Sequence, residues 1–295
     1  MTAATGRGVT LAVAALIINA AVWGMSWWPF RELQSLGLHP LWSTALIYFF
    51  SLACIVVWRP DAWRNFARHP QLWLLALAAG LTNVGFNWAV TVGDVVRVVL
   101  LFYLMPAWSV VLAWAVLGEK PTRASLLRLL LAMAGVLIVL KAPDSPWPVP
   151  QGIPDWLALM GGVSFAATNV LLRKLEYTPS AARMLAMFGG GAVLASAAAL
   201  LGLAGGIVSA PVWALTWLPV ALGLALAFLV SNMALQYGAA RLAASTTALV
   251  MLTEILFASL SAAALGAAEF SPRTLLGGGL IVLAALLAAM APTKK

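Results

Sequence analysis

Stretches of about twenty apolar residues recur along this chain, and its charged residues fall almost entirely in the short breaks between them. Twenty residues of α-helix rise roughly 30 Å, the thickness of a bilayer's hydrocarbon core. A helix satisfies its own N–H and C=O groups there without water. Breaks marked by charge, Pro and Gly predict helices at about 9–30, 41–58, 72–92, 98–117, 124–141, 154–172, 184–206, 213–235, 242–265 and 274–291. Only 9% of the residues are charged against 63% hydrophobic, too few to clothe a soluble domain. The expected class is an all-α integral membrane protein of ten transmembrane helices with the lipid bilayer as its solvent.

Charge placement tests that count, since a missed span would invert the sidedness of everything after it. One face receives Arg7, Arg59, Arg64, Arg68, Lys120, Arg123, Arg128, Arg173, Lys174, Arg183, Arg241, Lys294 and Lys295, which is 13 of the 17 basic residues. The other receives Arg31, Arg97, Lys141 and Arg273. This skew predicts that both termini lie in the cytoplasm and that the protein resides in the cytoplasmic (inner) membrane. The net charge of +8 is scattered over many loops, so it does not form a nucleic-acid surface. The first apolar stretch, Val9 to Phe30, is long for a signal-peptide core and should remain as helix 1. Cys54 is the single cysteine, which rules out an intrachain disulfide.

The longest Pro-rich break, Ala142 to Pro154, falls mid-chain and carries Asp144, Pro146, Pro148 and Pro150. It divides the chain into halves of five helices, 1–143 and 144–295, within one transmembrane domain. Related halves with an odd number of helices must be oppositely oriented, the inverted repeat typical of secondary transporters. Asn87-Trp88-Ala89 stands six residues before Gly93, as Asn232-Met233-Ala234 stands before Gly238. Leu117-Gly118-Glu119 closes helix 4 as Leu265-Gly266 closes helix 9, with Glu269 following.

Trp23-Gly24, Asn87, Asn232, Pro106 and the Leu117-to-Pro121 segment together resemble the drug/metabolite transporter superfamily, specifically its EamA-type exporters. The resemblance runs over nearly the whole chain and implies two inverted five-helix repeats around a central site. Within that superfamily, the Trp-rich, nearly charge-free interior is similar to that of aromatic amino-acid exporters. One departure stands out: the helix-9 position matching Pro106 is Glu254, or Ile255 with a one-residue slip, so a break in helix 4 has no proline twin in helix 9.

Polar groups in hydrocarbon mark candidate pathways. Glu254, near the centre of helix 9, has no basic residue at comparable depth. It is read as a counter-ion for an ammonium group or a proton site, against a neutral carboxyl that ties helices together. Polar positions repeat every three or four residues, hence on one helix face, in Asn19, Trp23 and Trp27; Asn83, Asn87 and Thr91; Ser164 and Thr168; Asn232 and Gln236; and Thr247, Met251, Glu254, Ala258 and Ser261. Trp42, Trp58, Trp63, Trp73, Trp156, Trp213 and Trp217 lie near helix ends as an interfacial belt. Trp88, Tyr103 and Trp108 lie deeper, to stack on a solute or to pack. Pro106 removes a backbone hydrogen bond and is the expected hinge. Gly202 with Gly206, and Gly277 to Gly279, are expected to let helices approach closely.

Substrate-binding residues are therefore expected at Trp23, Asn83, Asn87, Tyr103, Trp108, Ser164, Thr168, Asn232 and Glu254. His39 and His69 fall in loops, no phosphate-binding glycine loop is present, and Asp94 lacks an intramembrane Asp partner. No enzyme, metal site or cofactor is expected. The expected function is export of small organic metabolites, aromatic and other neutral amino acids foremost, by alternating access, with a monomer as the expected assembly. The rivals are an efflux carrier for lipophilic cations that uses Glu254, and a membrane-embedded enzyme or scaffold. Scarce buried Lys and Arg argue against phosphorylated substrates.

Overall fold

The computed structural model describes residues 6–93, 95–141, 150–212, 215–266 and 272–290. Residues 142–149 of the mid-chain break lie outside them, as do Asp94, Trp213, Glu269, Lys294 and Lys295 and the side chains of Arg7, Thr91 and Arg97. Every regular element among the described residues is helical: α1 (Gly6–Met25), α2 (Trp27–Ser35), α3 (Pro40–Trp58), α4 (Ala62–Arg68), α5 (Gln71–Val92), α6 (Val95–Phe102), α7 (Met105–Leu117), α8 (Arg123–Leu140), α9 (Ile153–Lys174), α10 (Ser180–Ala204), α11 (Leu218–Ala239), α12 (Ala244–Met251), α13 (Glu254–Ala264) and α14 (Pro272–Ala289). Nine stretches among the described residues are long and apolar enough to cross a bilayer, and Leu275–Ala289 of α14 is a shorter apolar helix. The chain is a multi-pass membrane protein.

Two differences from the sequence reading are simple extensions. The first span runs from Gly8 to Ser35, continuing past a turn at Ser26, whose N–H and hydroxyl both donate to the Trp23 carbonyl. The break after α3 contains α4, not only loop, because Phe66 is buried there against Trp63 and Trp73, with ring centroids 5.7 and 4.7 Å away.

The third difference concerns the two central spans. Helix 4 breaks between α6 and α7 at Tyr103 and Leu104, so Pro106 occupies the first turn of α7 and is not a kink inside a continuous helix. A proline there lacks only an N–H that a helix start leaves unpaired anyway. The Phe102 carbonyl, which Pro106 cannot bond, lies against Gly162 of α9, where an added Cβ would come within 2.6 Å of it. Helix 9 breaks as well, at Leu252 and Thr253, correcting the expectation drawn from its missing proline. The Thr253 hydroxyl and N–H both donate to the Val250 carbonyl, at 2.8 and 3.1 Å, and so occupy the acceptor that Glu254 would use in an unbroken helix. Gly118 and Gly266, which follow the two broken spans, have φ of +70° and +67°.

Glycine decides which helices touch. A Cβ on Gly190 of α10 would lie 2.0 Å from the Ala76 carbonyl oxygen of α5, and one on Gly85 would lie 2.6 Å from Leu157 O of α9. Gly135 of α8 and Gly277 of α14 meet in the same way, each 2.6 Å from the other's carbonyl oxygen. Gly277 is thus a packing residue as expected, whereas Gly279 has nothing within 4 Å. Gly202 and Gly206 form no helix crossing: they build the end of α10, where the Gly202 carbonyl accepts from the N–H groups of Ile207 and Val208.

Candidate solute-binding cavity

Between the helices lies a cavity of about 80 Å³. Asn19 and Trp23 of α1, Tyr48 of α3, Thr82, Asn83 and Asn87 of α5, Thr168 of α9, Asn232 of α11 and Glu254 of α13 supply its polar and part-polar lining. Phe86, Phe102, Phe165, Phe188 and Phe228 supply rings, and Met187 and Met251 sulfur. Both sequence halves contribute.

The polar side chains are held by neighbouring helices. Asn19 donates to the carbonyl and the hydroxyl of Ser231, at 2.8 and 2.6 Å, and so ties α1 to α11. Asn83 accepts from the Tyr48 hydroxyl at 2.8 Å, and Asn87 donates to the Thr44 hydroxyl at 2.6 Å. Gln236, fully buried behind the cavity, donates to Asn232 at 2.7 Å. Glu254 begins α13, so its carboxyl group sits in the first turn, where the helix dipole favours negative charge. The Tyr103 side chain lies beside that carboxyl group. Gly24 explains its place beside Trp23: an added Cβ would stand 2.5 Å from the Glu254 carbonyl oxygen, so only glycine lets α1 cross the helix-9 break.

Six of the nine expected residues line the space: Trp23, Asn83, Asn87, Thr168, Asn232 and Glu254. Three do not. Tyr103 stands one layer back, acting on the cavity through Glu254. Ser164 is buried in α9, where its carbonyl accepts from the Thr168 hydroxyl at 2.9 Å. Trp108 lies on α7 away from the lining, with its indole N–H unpartnered. Trp88 packs among Leu41, Val84 and Ala198. In the outer stripes Trp27 donates to the Ser261 hydroxyl at 2.9 Å, which makes that pair a tie between helices. Trp217 departs from the interfacial belt: it is buried in the core, whereas Trp58, Trp63, Trp73 and Trp156 are exposed as the belt requires. The residues the sequence reading missed are chiefly Tyr48 and the phenylalanines. Tyr48 gave a signal, a lone phenol in the middle of an apolar helix, which calls for a partner.

At one end of the bundle α7, α9, α11 and α12 meet. Arg173 donates to Glu176 at 3.1 Å and to the Ala240 carbonyl, and its Nε lies 3.9 Å from the Glu119 carboxylate. Glu119 accepts the backbone N–H of Ala244, the first residue of α12, and burial pushes its carboxyl group up while Arg173 pulls it back. One turn further in, Ala113, Val170 and Ala244 pack together. Near them Ser109, Asn169 and Thr247 are fully buried, and each has side-chain atoms without a hydrogen-bond partner. Glu119→Ala is expected to lower stability by about 1 kcal/mol through the lost cap on α12. Glu119→Gln, which keeps an acceptor, should cost only a few tenths, since a partly exposed ion pair contributes little. Thermal melting in detergent tests this, and equal losses in both variants would assign the effect to the charge instead.

Residues 10–141 match the EamA-like transporter family. That stretch is under half of the chain, and what it is similar to is a family of transporters. Protein RarD of Streptomyces exfoliatus is 28% identical over 165 residues, 52% of this chain and 49% of that protein. Protein RarD of Salmonella typhi is 29% identical over 192 residues, 60% of this chain and 63% of that protein. An uncharacterized transporter of Pseudomonas aeruginosa is 25% identical over 184 residues, 59% of this chain and 56% of that protein. The chain spans about half to two thirds of the length of the curated relatives it matches. These named relatives are RarD proteins, not the aromatic amino-acid exporter YddG that the Trp-rich interior resembles. A solved crystal structure superposes with a TM-score of 0.75 at 16% identity, covering 96% of this chain and 97% of that one, which shows a shared fold.

Proposed function

We propose that this protein is a secondary transporter of the EamA type that moves a small organic metabolite bearing an amino group, with amino acids as the first candidates. The observation that carries this reading is the cavity itself, lined by amides, hydroxyls and one carboxyl from both halves of the chain and walled by aromatic rings. Such a site orients a solute by a few polar contacts and buries its body against rings. Transport would follow if the halves 1–143 and 144–295, as inverted repeats with both termini cytoplasmic, alternately expose that site. The paired breaks in the two central spans, each followed by a left-handed glycine, support that relation. They also give each half a place to bend next to the cavity.

Proteoliposomes loaded with labelled Trp, Phe, Met and Thr, with and without a proton gradient, test the reading. Flux above empty liposomes for at least one of them is the expected result. No flux above background for all four removes the amino-acid assignment.

A further inference from the structure

The cavity's hydrogen-bonding capacity is unbalanced. The Thr82 hydroxyl donates to Ala78 O at 2.8 Å, that of Thr168 to Ser164 O at 2.9 Å, and that of Tyr48 to Asn83 Oδ1 at 2.8 Å. A hydroxyl has one proton, so what these three still offer a solute is lone pairs. Asn19 directs its amide nitrogen at two oxygens of Ser231, and its Oδ1 is buried without a partner. That amide cannot be reversed, because its oxygen would then face the Ser231 carbonyl. Asn83 is fixed likewise by donating to Ala79 O at 2.8 Å. Asn87 donates to Thr44, whose own proton goes to Pro40 O at 2.8 Å, so Thr44 can only accept. Among the described lining residues Glu254 is the one carboxyl group, and no Lys, Arg or His stands with it.

We propose that the cavity selects protonated organic amines lacking a free carboxylate, with an aromatic or aliphatic body, over the zwitterionic amino acids. The inference rests on the carrier reading above and narrows its substrate. An ammonium group is all donor, with three protons and no lone pair. It matches the hydroxyl lone pairs and the Glu254 charge, in a space walled by aromatic rings. A carboxylate is all acceptor. It would meet the same lone pairs and Glu254, with no cation to offset the repulsion. The donors left over are neutral N–H protons on Asn83, Asn87, Asn232 and the Trp23 indole, which suit a neutral carbonyl better than a charge. An amino-acid amide is therefore held more tightly than the parent amino acid.

The test uses one carbon skeleton with four head groups: phenethylamine, phenylalaninamide, phenylalanine and 3-phenylpropionate. Binding to the purified full chain is read near neutral pH by ligand-induced thermal stabilisation, and flux by proteoliposomes against empty liposomes. The amine and the amide are expected to bind at least about tenfold tighter than phenylalanine, and phenylpropionate to give no stabilisation. Phenylalanine binding as tightly as the amine overturns the selection, and if it is also carried the transporter reading stands. Amine binding without flux of any compound keeps the selection and removes the carrier. A chain that neither binds nor moves any of the four defeats both.

Discussion

Glu254→Gln is expected to weaken binding of a protonated amine by at least about tenfold while leaving a neutral alcohol of the same skeleton within about threefold. Tenfold corresponds to about 1.4 kcal/mol, a modest demand on one charge in a site of low dielectric. Gln keeps the size of the side chain and an acceptor oxygen, so the first turn of α13 and the cavity wall should persist. The expected loss is thus confined to charge. Competition isotherms for the amine and the alcohol, taken side by side on both proteins, separate charge from shape. An unchanged amine affinity in the Gln variant would mean that Glu254 ties helices together and does not meet the solute.

The second large effect belongs to Gly190. Its virtual Cβ lies 2.0 Å from Ala76 O, 2.6 Å from Ala76 C and 2.8 Å from Ala76 Cα, so every obstacle is backbone and no side chain can rotate away. Gly190→Ala must push α5 and α10 apart. Core overpacking costs about 1–3 kcal/mol, and a rigid backbone obstacle places this case at the upper end. The cost should reach the site too, because α5 carries Asn83 and Asn87 and α10 carries Met187 and Phe188. Gly279→Ala is the matched control, with the same added methyl group and nothing within 4 Å. Melting curves of the two variants should therefore diverge sharply, and superimposable curves would refute the close crossing of α5 and α10.

Hydrophobic run length made the spans legible, since the bilayer imposes one length on every helix that crosses it. Polar stripes at helical spacing were almost as informative: Asn83, Asn87, Asn232, Thr168 and Glu254 converge because a lone polar group in an apolar helix turns towards partners. What could not be read depended on hydrogen bonds that no composition rule encodes. The break in helix 9 arises from Thr253 capturing the Val250 carbonyl, and threonine at most helix positions does no such thing. Trp217 and Trp58 both stand near helix ends, yet one is buried and the other 72% exposed, because position along the membrane normal says nothing about direction around the helix. The phenylalanines of the cavity wall were hidden for the same reason: alone, a ring facing lipid and a ring facing a solute look alike.

Ser109, Asn169 and Thr247 carry a consequence for how this end of the bundle behaves. A buried polar atom without a partner costs about 1–3 kcal/mol in a dry seam, and water removes that cost. Parting α7, α9 and α12 would let all three hydrate at once, repaying some of the lost contact between Ala113, Val170 and Ala244. Opening the junction beneath Glu119 and Arg173 should therefore cost less than parting a seam of purely apolar side chains.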